Sequence, residues 1–212
     1  MSPEDLRNRP MAYFNIDGVG ELSMGFMMLA MATFGWLLAH APAGSAWHSM
    51  PVFIVYMAVL LAVLHYAPRA IKERLTYLRT GYVEYRKQGA WKVQVLSAAI
   101  APLVVIGLVV ASRHHWSIGV PAGLLLATFA AVYGYRIAGT IRWKWAVVAV
   151  IFLGAVAMVT APRAVIGALI EASVLGAVYT AFAMIGVVML VSGGITLASY
   201  IRHTEPPQAE SE

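Results

Sequence analysis

The stretch PVFIVYMAVLLAVLHYAPRAIKERLTYLRT, residues 51–80, joins a long apolar run to a group of positive charges. Residues 51–67 contain no Asp, Glu, Lys or Arg, whereas Arg69, Lys72, Arg74 and Arg79 follow within the next thirteen residues. A helix of about 20 apolar residues crosses the hydrocarbon layer of a membrane, and Lys and Arg collect on its cytoplasmic side. The stretch therefore predicts a membrane-spanning helix whose C-terminal end faces the cytoplasm.

The rest of the chain has the same apolar character. Hydrophobic residues make up 60% of the sequence and charged residues 12%, against about 25% charged in an average soluble domain. The sequence therefore predicts an all-α polytopic membrane helix bundle with six transmembrane helices. The predicted spans are residues 18–41, 51–67, 93–111, 118–138, 145–161 and 173–200. We expect a single transmembrane domain over residues 1–203, which leaves no room for a sizeable soluble domain.

The distribution of Lys and Arg predicts the orientation. With the N-terminus inside, thirteen of the fifteen Lys and Arg residues fall on one side of the six-span arrangement, and Arg113 and Arg163 fall on the other. Because positively charged loops are retained in the cytoplasm, both termini are predicted to be cytoplasmic. The six tryptophans agree, since each lies near a predicted span boundary, as in an interfacial aromatic belt. They are Trp36, Trp47, Trp91, Trp116, Trp143 and Trp145.

The N-terminal part of the chain contains a possible signal-peptide cleavage site, and the C-terminal tail is polar. Ala39, His40 and Ala41 form a small-x-small site that could end a cleaved signal peptide. The preceding apolar run is longer than the roughly 7 to 15 residues of a signal core, so retention of the first span is favoured over cleavage. The tail, residues 204–212, is polar and acidic and is predicted to be disordered. The absence of cysteine excludes disulfides and cysteine-based metal sites.

The segment of residues 68–92 is the longest predicted cytoplasmic loop, and it alternates basic with aromatic residues. Ile71, Leu75 and Leu78 recur at helical spacing, which predicts a short amphipathic helix over residues 69–78 lying in the interface. Guanidinium groups beside tyrosine rings suit lipid phosphates at headgroup depth. We interpret this loop as a contact for anionic headgroups, with docking of a protein partner as the alternative. The candidate residues are Arg74, Tyr77, Arg79, Tyr82, Tyr85 and Arg86.

Residues 74–83, RLTYLRTGYV, resemble the Arg-Leu-Thr-Tyr-Pro-Arg-Thr-Gly-Tyr-Val signature of a group of functionally uncharacterised bacterial integral membrane proteins. Asp17-Gly18 followed by Glu21-Leu22 is similar to the start of their first helix. This chain has Leu78 in place of the proline, so a helix need not end at Tyr77. The resemblance implies a bacterial cytoplasmic (inner) membrane and a multi-pass protein, and it brings no activity.

Asp17 and Glu21 form an acidic pair at the start of the first span, four residues apart and so on one helix face. At the inner mouth of a pathway they could bind a cation or a proton. The structural interpretation is favoured: Asp17 is a good helix N-cap, and both charges suit the positive end of the helix dipole. The predicted spans carry no other carboxylate at mid-depth, which disfavours ion-coupled transport.

Metal binding is a weaker hypothesis. Four histidines map to the outer face in this topology and could bind copper or zinc, but their spacing is not that of a ligand set. They are His40, His48, His114 and His115. His65, within the second span, is favoured as an ordinary packed residue over a haem ligand. No cofactor is clearly indicated.

The remaining features favour a non-enzymatic role. The sixth span contains several small residues, and its Ser-Gly-Gly step at residues 192–194 is expected to allow close helix approach or a bend. These small residues are Gly176, Gly186, Ser192, Gly193 and Gly194. The sequence predicts an accessory or scaffold subunit that contacts membrane lipids, with a membrane-protein partner or a homo-oligomer as its setting and no nucleic acid. Transport of a small or lipophilic solute is the alternative, and a lipid-acting enzyme the third. A transport cavity would be lined by Thr33, Tyr56, His65, Thr128, Tyr133 or Tyr179.

Overall fold

The computed structural model describes residues 17–76, 119–134, 142–160 and 174–204. Within these ranges all regular structure is helical, so the predicted all-α class is confirmed there. The five α-helices are α1 (Val19–His40), α2 (Met50–Ile71), α3 (Gly119–Tyr133), α4 (Lys144–Thr160) and α5 (Val174–His203). A short 3₁₀ helix, Ala46–His48, lies between α1 and α2, and a π-helical turn, Lys72–Thr76, follows α2.

Three helical segments are long and apolar enough to cross a membrane: Val19–His40, Met50–Leu75 and Gly176–His203, of 22, 26 and 28 residues. The fold is therefore compatible with a membrane protein. The predicted count of six spans is not supported. Within the described ranges α3 has 15 residues and α4 has 17, and neither is among the three helical segments long enough to span. The span predicted at residues 93–111 lies outside the described residues.

The chain divides into two compact units. Among the described residues, the first unit holds 17–30, 40–76 and 186–204, and the second holds 31–39, 119–134, 142–160 and 174–185. The unit boundaries therefore fall inside α1 and α5. Each unit has its own helix packing.

In the first unit, α1 and α5 run antiparallel at very close approach. A methyl group added at Gly25 would lie 2.8 Å from the backbone nitrogen of Leu190 and 2.9 Å from the carbonyl oxygen of Gly186. One added at Gly193 would lie 2.8 Å from the backbone nitrogen of Leu22. These distances leave no space for a side chain, so glycine lets the two backbones touch, as small residues do in membrane helix pairs. The close helix approach expected at the Ser-Gly-Gly step is confirmed for Gly193, whereas a methyl group at Gly194 would meet nothing within 4 Å.

Helix α2 belongs wholly to the first unit and packs little of its surface. Ser45 starts the preceding 3₁₀ helix, where its hydroxyl accepts a hydrogen bond from the backbone nitrogen of Trp47 at 3.1 Å. Within α2 itself Leu60 is the buried residue. The hydroxyl of Tyr56 donates to the carbonyl oxygen of Ala30 in α1 at 2.6 Å. Helix α2 is thus held to α1 along one face and is otherwise exposed.

In the second unit, α3 and α4 form an antiparallel pair. A methyl group at Gly123 in α3 would lie 2.9 Å from the carbonyl oxygen of Ala155 in α4, so the backbones approach closely here as well. At the other end of the pair, Gly134 lies beside Val148. Gly35 of α1 packs directly against the ring of Tyr179 in α5. The buried apolar residues of α3 and α4 include Pro121, Ala122, Leu126, Ala130, Tyr133, Val147, Ile151 and Ala155.

Candidate functional site

The start of α1, the end of α2 and the C-terminal half of α5 bring a set of polar side chains together in the first unit. We call this set the inner polar cluster: Asp17, Glu21, Lys72, Ser192 and Thr196. Exposed fractions are 3% for Asp17, 4% for Glu21 and 2% for Ser192. Buried ionisable groups in apolar helices are costly unless they are paired. The hydrogen-bond and ion-pair partners of these side chains therefore determine which chemical roles the cluster can have.

Asp17 uses both oxygens of its carboxylate. Oδ1 accepts a hydrogen bond from the backbone nitrogen of Val19 at 3.1 Å, at the first turn of α1. Oδ2 lies 3.2 Å from Nζ of Lys72, at the end of α2. Gly18, between Asp17 and Val19, has a φ of +71°. This left-handed backbone conformation is one that residues other than glycine rarely adopt. Gly18 is the N-cap of α1, since its carbonyl oxygen accepts the first helical hydrogen bond, from the backbone nitrogen of Leu22. Asp17 therefore lies one residue before the predicted N-cap position, and its carboxylate joins the start of α1 to the end of α2.

Lys72 reaches this position at the junction of α2 and the π-helical turn Lys72–Thr76. Its side chain is 11% exposed. Single π-helical turns are rare and concentrate at functional positions. Removing one member of a buried ion pair costs about 3–5 kcal/mol because the other charge stays buried without its partner. The Asp17–Lys72 pair therefore couples the two helix ends strongly.

Glu21 and Ser192 join α1 to α5. The hydroxyl of Ser192 donates to Oε2 of Glu21 at 2.7 Å, and the hydroxyl of Thr196 donates to the carbonyl oxygen of Ser192 at 2.8 Å. The serine side chain is short, so the contact requires the close approach that Gly193 allows, with a Cβ there only 2.9 Å from the carbonyl oxygen of Gly18. Interhelical hydrogen bonds of this kind contribute roughly 1 kcal/mol in membranes.

Tyr200 follows Thr196 by one helical turn on α5. It is 8% exposed, and its hydroxyl is buried without a hydrogen-bond partner among the described residues. Buried hydroxyls are paired in most structures. The position continues the row of α5 residues that carries Ser192 and Thr196.

Sequence reasoning identified Asp17 and Glu21 but missed Lys72, Ser192 and Thr196. Lys72 counted as one loop charge among several, and Ser192 as a packing residue beside Gly193. The available signal was the matched spacing of the glycines, since Gly18 and Gly25 are seven residues apart, as are Gly186 and Gly193. Such spacing marks one helix face, and it would have placed Glu21 against the α5 glycines.

The basic and aromatic loop is described only at its start. Arg74 is exposed, and Arg69 pairs with Glu73 across one turn, with Nε and Oε1 3.0 Å apart on exposed side chains. Exposed pairs of this type contribute little to stability. The other candidate residues of this loop, Tyr77, Arg79, Tyr82, Tyr85 and Arg86, lie outside the described residues, as do residues 205–212 of the tail.

The histidine hypothesis finds no built site within the described ranges. His40 and His48 are both exposed, and His114 and His115 lie outside the described residues. In the ranges that the structure describes, no group of three or more His, Cys, Asp or Glu side chains could hold a metal ion.

The residues proposed to line a transport cavity have separate local environments. Thr33 and His65 are exposed, and the hydroxyl of Tyr56 bonds to the backbone of α1. Tyr133 is buried and stacks on Phe129 at 6.1 Å between ring centroids. Tyr179 packs on Gly35. Of these residues, the three tyrosines make packing or hydrogen-bond contacts, and Thr33 and His65 are exposed.

Comparisons with protein-family models, with curated proteins and with solved structures found no match.

Proposed function

We propose that this protein is a non-enzymatic integral membrane component, an accessory or scaffold subunit of a membrane assembly. The observation that supports this most strongly is the inner polar cluster. Its two carboxylates, Asp17 and Glu21, are 3% and 4% exposed and bind groups of the chain's own helices. An acid, base or ion-binding carboxylate has to meet its substrate, and these two meet Lys72 and Ser192 instead.

The cluster also bears on the two rival functions. A lipid-acting enzyme would need Asp17, Glu21 and the basic loop at one accessible site. Lys72 does converge with Asp17, but as a buried ion pair with an 11% exposed lysine. Ion-coupled transport would need ionisable groups along a hydrated path at mid-depth. Both carboxylates lie instead at the end of a helix: Asp17 is two residues before the start of α1, and Glu21 is the third residue of α1. This position favours a structural role.

Six spans, two cytoplasmic termini and a bacterial inner membrane complete the proposal. The Asp17–Lys72 pair supports part of this topology, since it requires the start of α1 and the end of α2 to lie on the same side. That side also carries Arg69 and Arg74, as the charge rule expects for the cytoplasm. The resemblance of residues 74–83 to a bacterial membrane family supports the compartment.

The basic and aromatic loop is the proposed contact with partners. Arg74 is exposed at its start, beyond the buried Lys72. Basic residues near an anionic membrane surface contribute about 1 kcal/mol each to its binding. We expect the loop to contact anionic headgroups and to dock a protein partner.

The test is purification of the chain from its own membranes in nanodiscs, with mass spectrometry of all proteins, lipids and metals retained. We expect a stoichiometric protein partner that is lost when Arg74, Arg79 and Arg86 are replaced together by Gln. Replacement of Arg7, Arg9 and Arg202 by Gln is the matched control, because it removes three positive charges from the same predicted side; the partner should remain. A wild-type chain without a partner, carrying a reproducible bound solute, would contradict the accessory role and favour transport.

A further inference from the structure

Tyr200 of α5 carries a buried hydroxyl that lacks a hydrogen bond. The residue is 8% exposed, and its Oη has no hydrogen-bond partner in the part of the chain that the structure describes. Its backbone is engaged, because its carbonyl oxygen accepts from the backbone nitrogen and the hydroxyl of Thr204, at 3.1 and 2.6 Å. A buried tyrosine hydroxyl normally finds a partner. The unpaired hydroxyl therefore indicates a site for a polar group.

Helix geometry directs this hydroxyl back along α5 toward the inner polar cluster. Side chains of a helix tilt toward its N-terminus and cover the preceding turn, so the Tyr200 ring lies over the turn that contains Thr196. Thr196 lies against the start of α1, because a methyl group at Gly18 would be 2.8 Å from the Cβ of Thr196. The start of α1 is also where Asp17 pairs with Lys72. The hydroxyl and the ion pair therefore belong to the same end of the α1–α5 pair.

The carboxylate of Asp17 can accept further hydrogen bonds. An ionised carboxylate offers about four lone-pair sites. The backbone nitrogen of Val19 takes one site on Oδ1, and Nζ of Lys72 lies against Oδ2. A buried ion pair is favourable only when additional hydrogen bonds satisfy its remaining lone pairs and protons. Tyr200 and Asp17 are not bonded to each other directly, so a small polar molecule between them would satisfy both.

We propose that one buried water molecule bridges the hydroxyl of Tyr200 and the carboxylate of Asp17. Buried waters typically make about three hydrogen bonds to polar groups that have no other partner. A water molecule can donate to the carboxylate and also bond to the hydroxyl, whereas a second cation beside Lys72 would be repelled by its charge. The bridge gives α5 a further link to the start of α1, besides the bond between Ser192 and Glu21. This water site does not depend on an accessory role.

The first test is Tyr200→Phe, which removes the hydroxyl oxygen and keeps the ring. We expect the unfolding equilibrium constant, measured by denaturant titration in detergent micelles, to rise about fivefold through loss of the bridging hydrogen bond. Tyr66→Phe is the matched control, because Tyr66 is 68% exposed, and it should change the constant by less than about twofold. Removal of a hydroxyl that bonds to nothing would leave the constant unchanged or lower it, and that result would overturn the proposal.

The second test identifies the partner of the hydroxyl, through a crystal structure grown in a lipidic mesophase at a resolution that shows ordered water. We expect a water molecule within about 3.0 Å of both the Tyr200 Oη and a carboxylate oxygen of Asp17. Tyr200→Phe, crystallised in the same way, should lack it or hold it at much lower occupancy. A protein group, a lipid or a cation bonded to the wild-type hydroxyl, or no density there, would overturn the proposal.

Discussion

Helices α1, α2 and α5 are all apolar, yet the α1–α5 pair buries more of its surface than α2 does. Along α1 and α5 the backbones touch at Gly25, Gly186 and Gly193, and the buried residues include Glu21 and Ser192. Helix α2 contains no glycine and buries Leu60. Small residues at matched spacing, rather than hydrophobicity, therefore distinguish the helices that pack closely on each other from α2, which leaves most of its surface exposed.

The largest effect is expected from a substitution that removes the Asp17–Lys72 ion pair, which joins the start of α1 to the end of α2. Lys72→Met keeps an unbranched side chain that is one atom shorter, and it leaves Asp17 buried without its charged partner. We expect the free energy of unfolding to fall by about 3–5 kcal/mol, measured by denaturant titration of the purified protein in detergent micelles. Arg69→Met is the control, because Arg69 is 71% exposed, and it should change stability by less than about 1 kcal/mol. Equal losses in the two variants would contradict a special role for Lys72.

The next effect compares two adjacent glycines of α5. A methyl group at Gly193 would lie 2.8 Å from the backbone nitrogen of Leu22, whereas one at Gly194 would meet nothing within 4 Å. Gly193→Ala should therefore destabilise by about 1–3 kcal/mol through overpacking. Gly194→Ala should be neutral or stabilising by up to about 1 kcal/mol, because alanine favours helix more than glycine. The same titration measures both, and a neutral Gly193→Ala would refute the close α1–α5 contact.

The smallest effect concerns the exposed face of α2. Val59 is 58% exposed, so Val59→Ala removes little packing within one chain. We expect a change in stability within about 0.5 kcal/mol, as for most exposed positions. Leu60→Ala is the contrasting variant on the buried face and should cost about 2 kcal/mol or more. Comparable losses at the two positions would show that Val59 is covered.

The sequence predicted the helical class and the roles of residues whose partners are close in the chain. Asp17 accepts a hydrogen bond from the first backbone nitrogen of the helix that begins two residues later, a local interaction of the kind that its residue type indicates, although the N-cap itself is Gly18. The glycines of α5 were expected to pack closely, but the sequence alone did not say against which helix.

The roles that the sequence did not predict depend on partners that are distant in the chain. Lys72 pairs with Asp17, 55 positions earlier, and it begins a π-helical turn. No local sequence pattern predicts the ion pair or the π-helical turn. Ser192 bonds to Glu21 over 171 positions. The six-span count stays a prediction, because three of the helical segments that the structure describes are long and apolar enough to span and residues 93–111 lie outside the described ranges.

The most direct measurement is a double-mutant cycle between Asp17 and Lys72, using Asp17→Asn, Lys72→Met and the double variant. We claim that these buried side chains bind each other and so join α1 to α2. The unfolding free energies should show a coupling of about 1–3 kcal/mol, with the double variant more stable than the sum of the single losses requires. Additive losses, with a coupling of about zero, would contradict the pairing on which the structural role of the inner polar cluster depends.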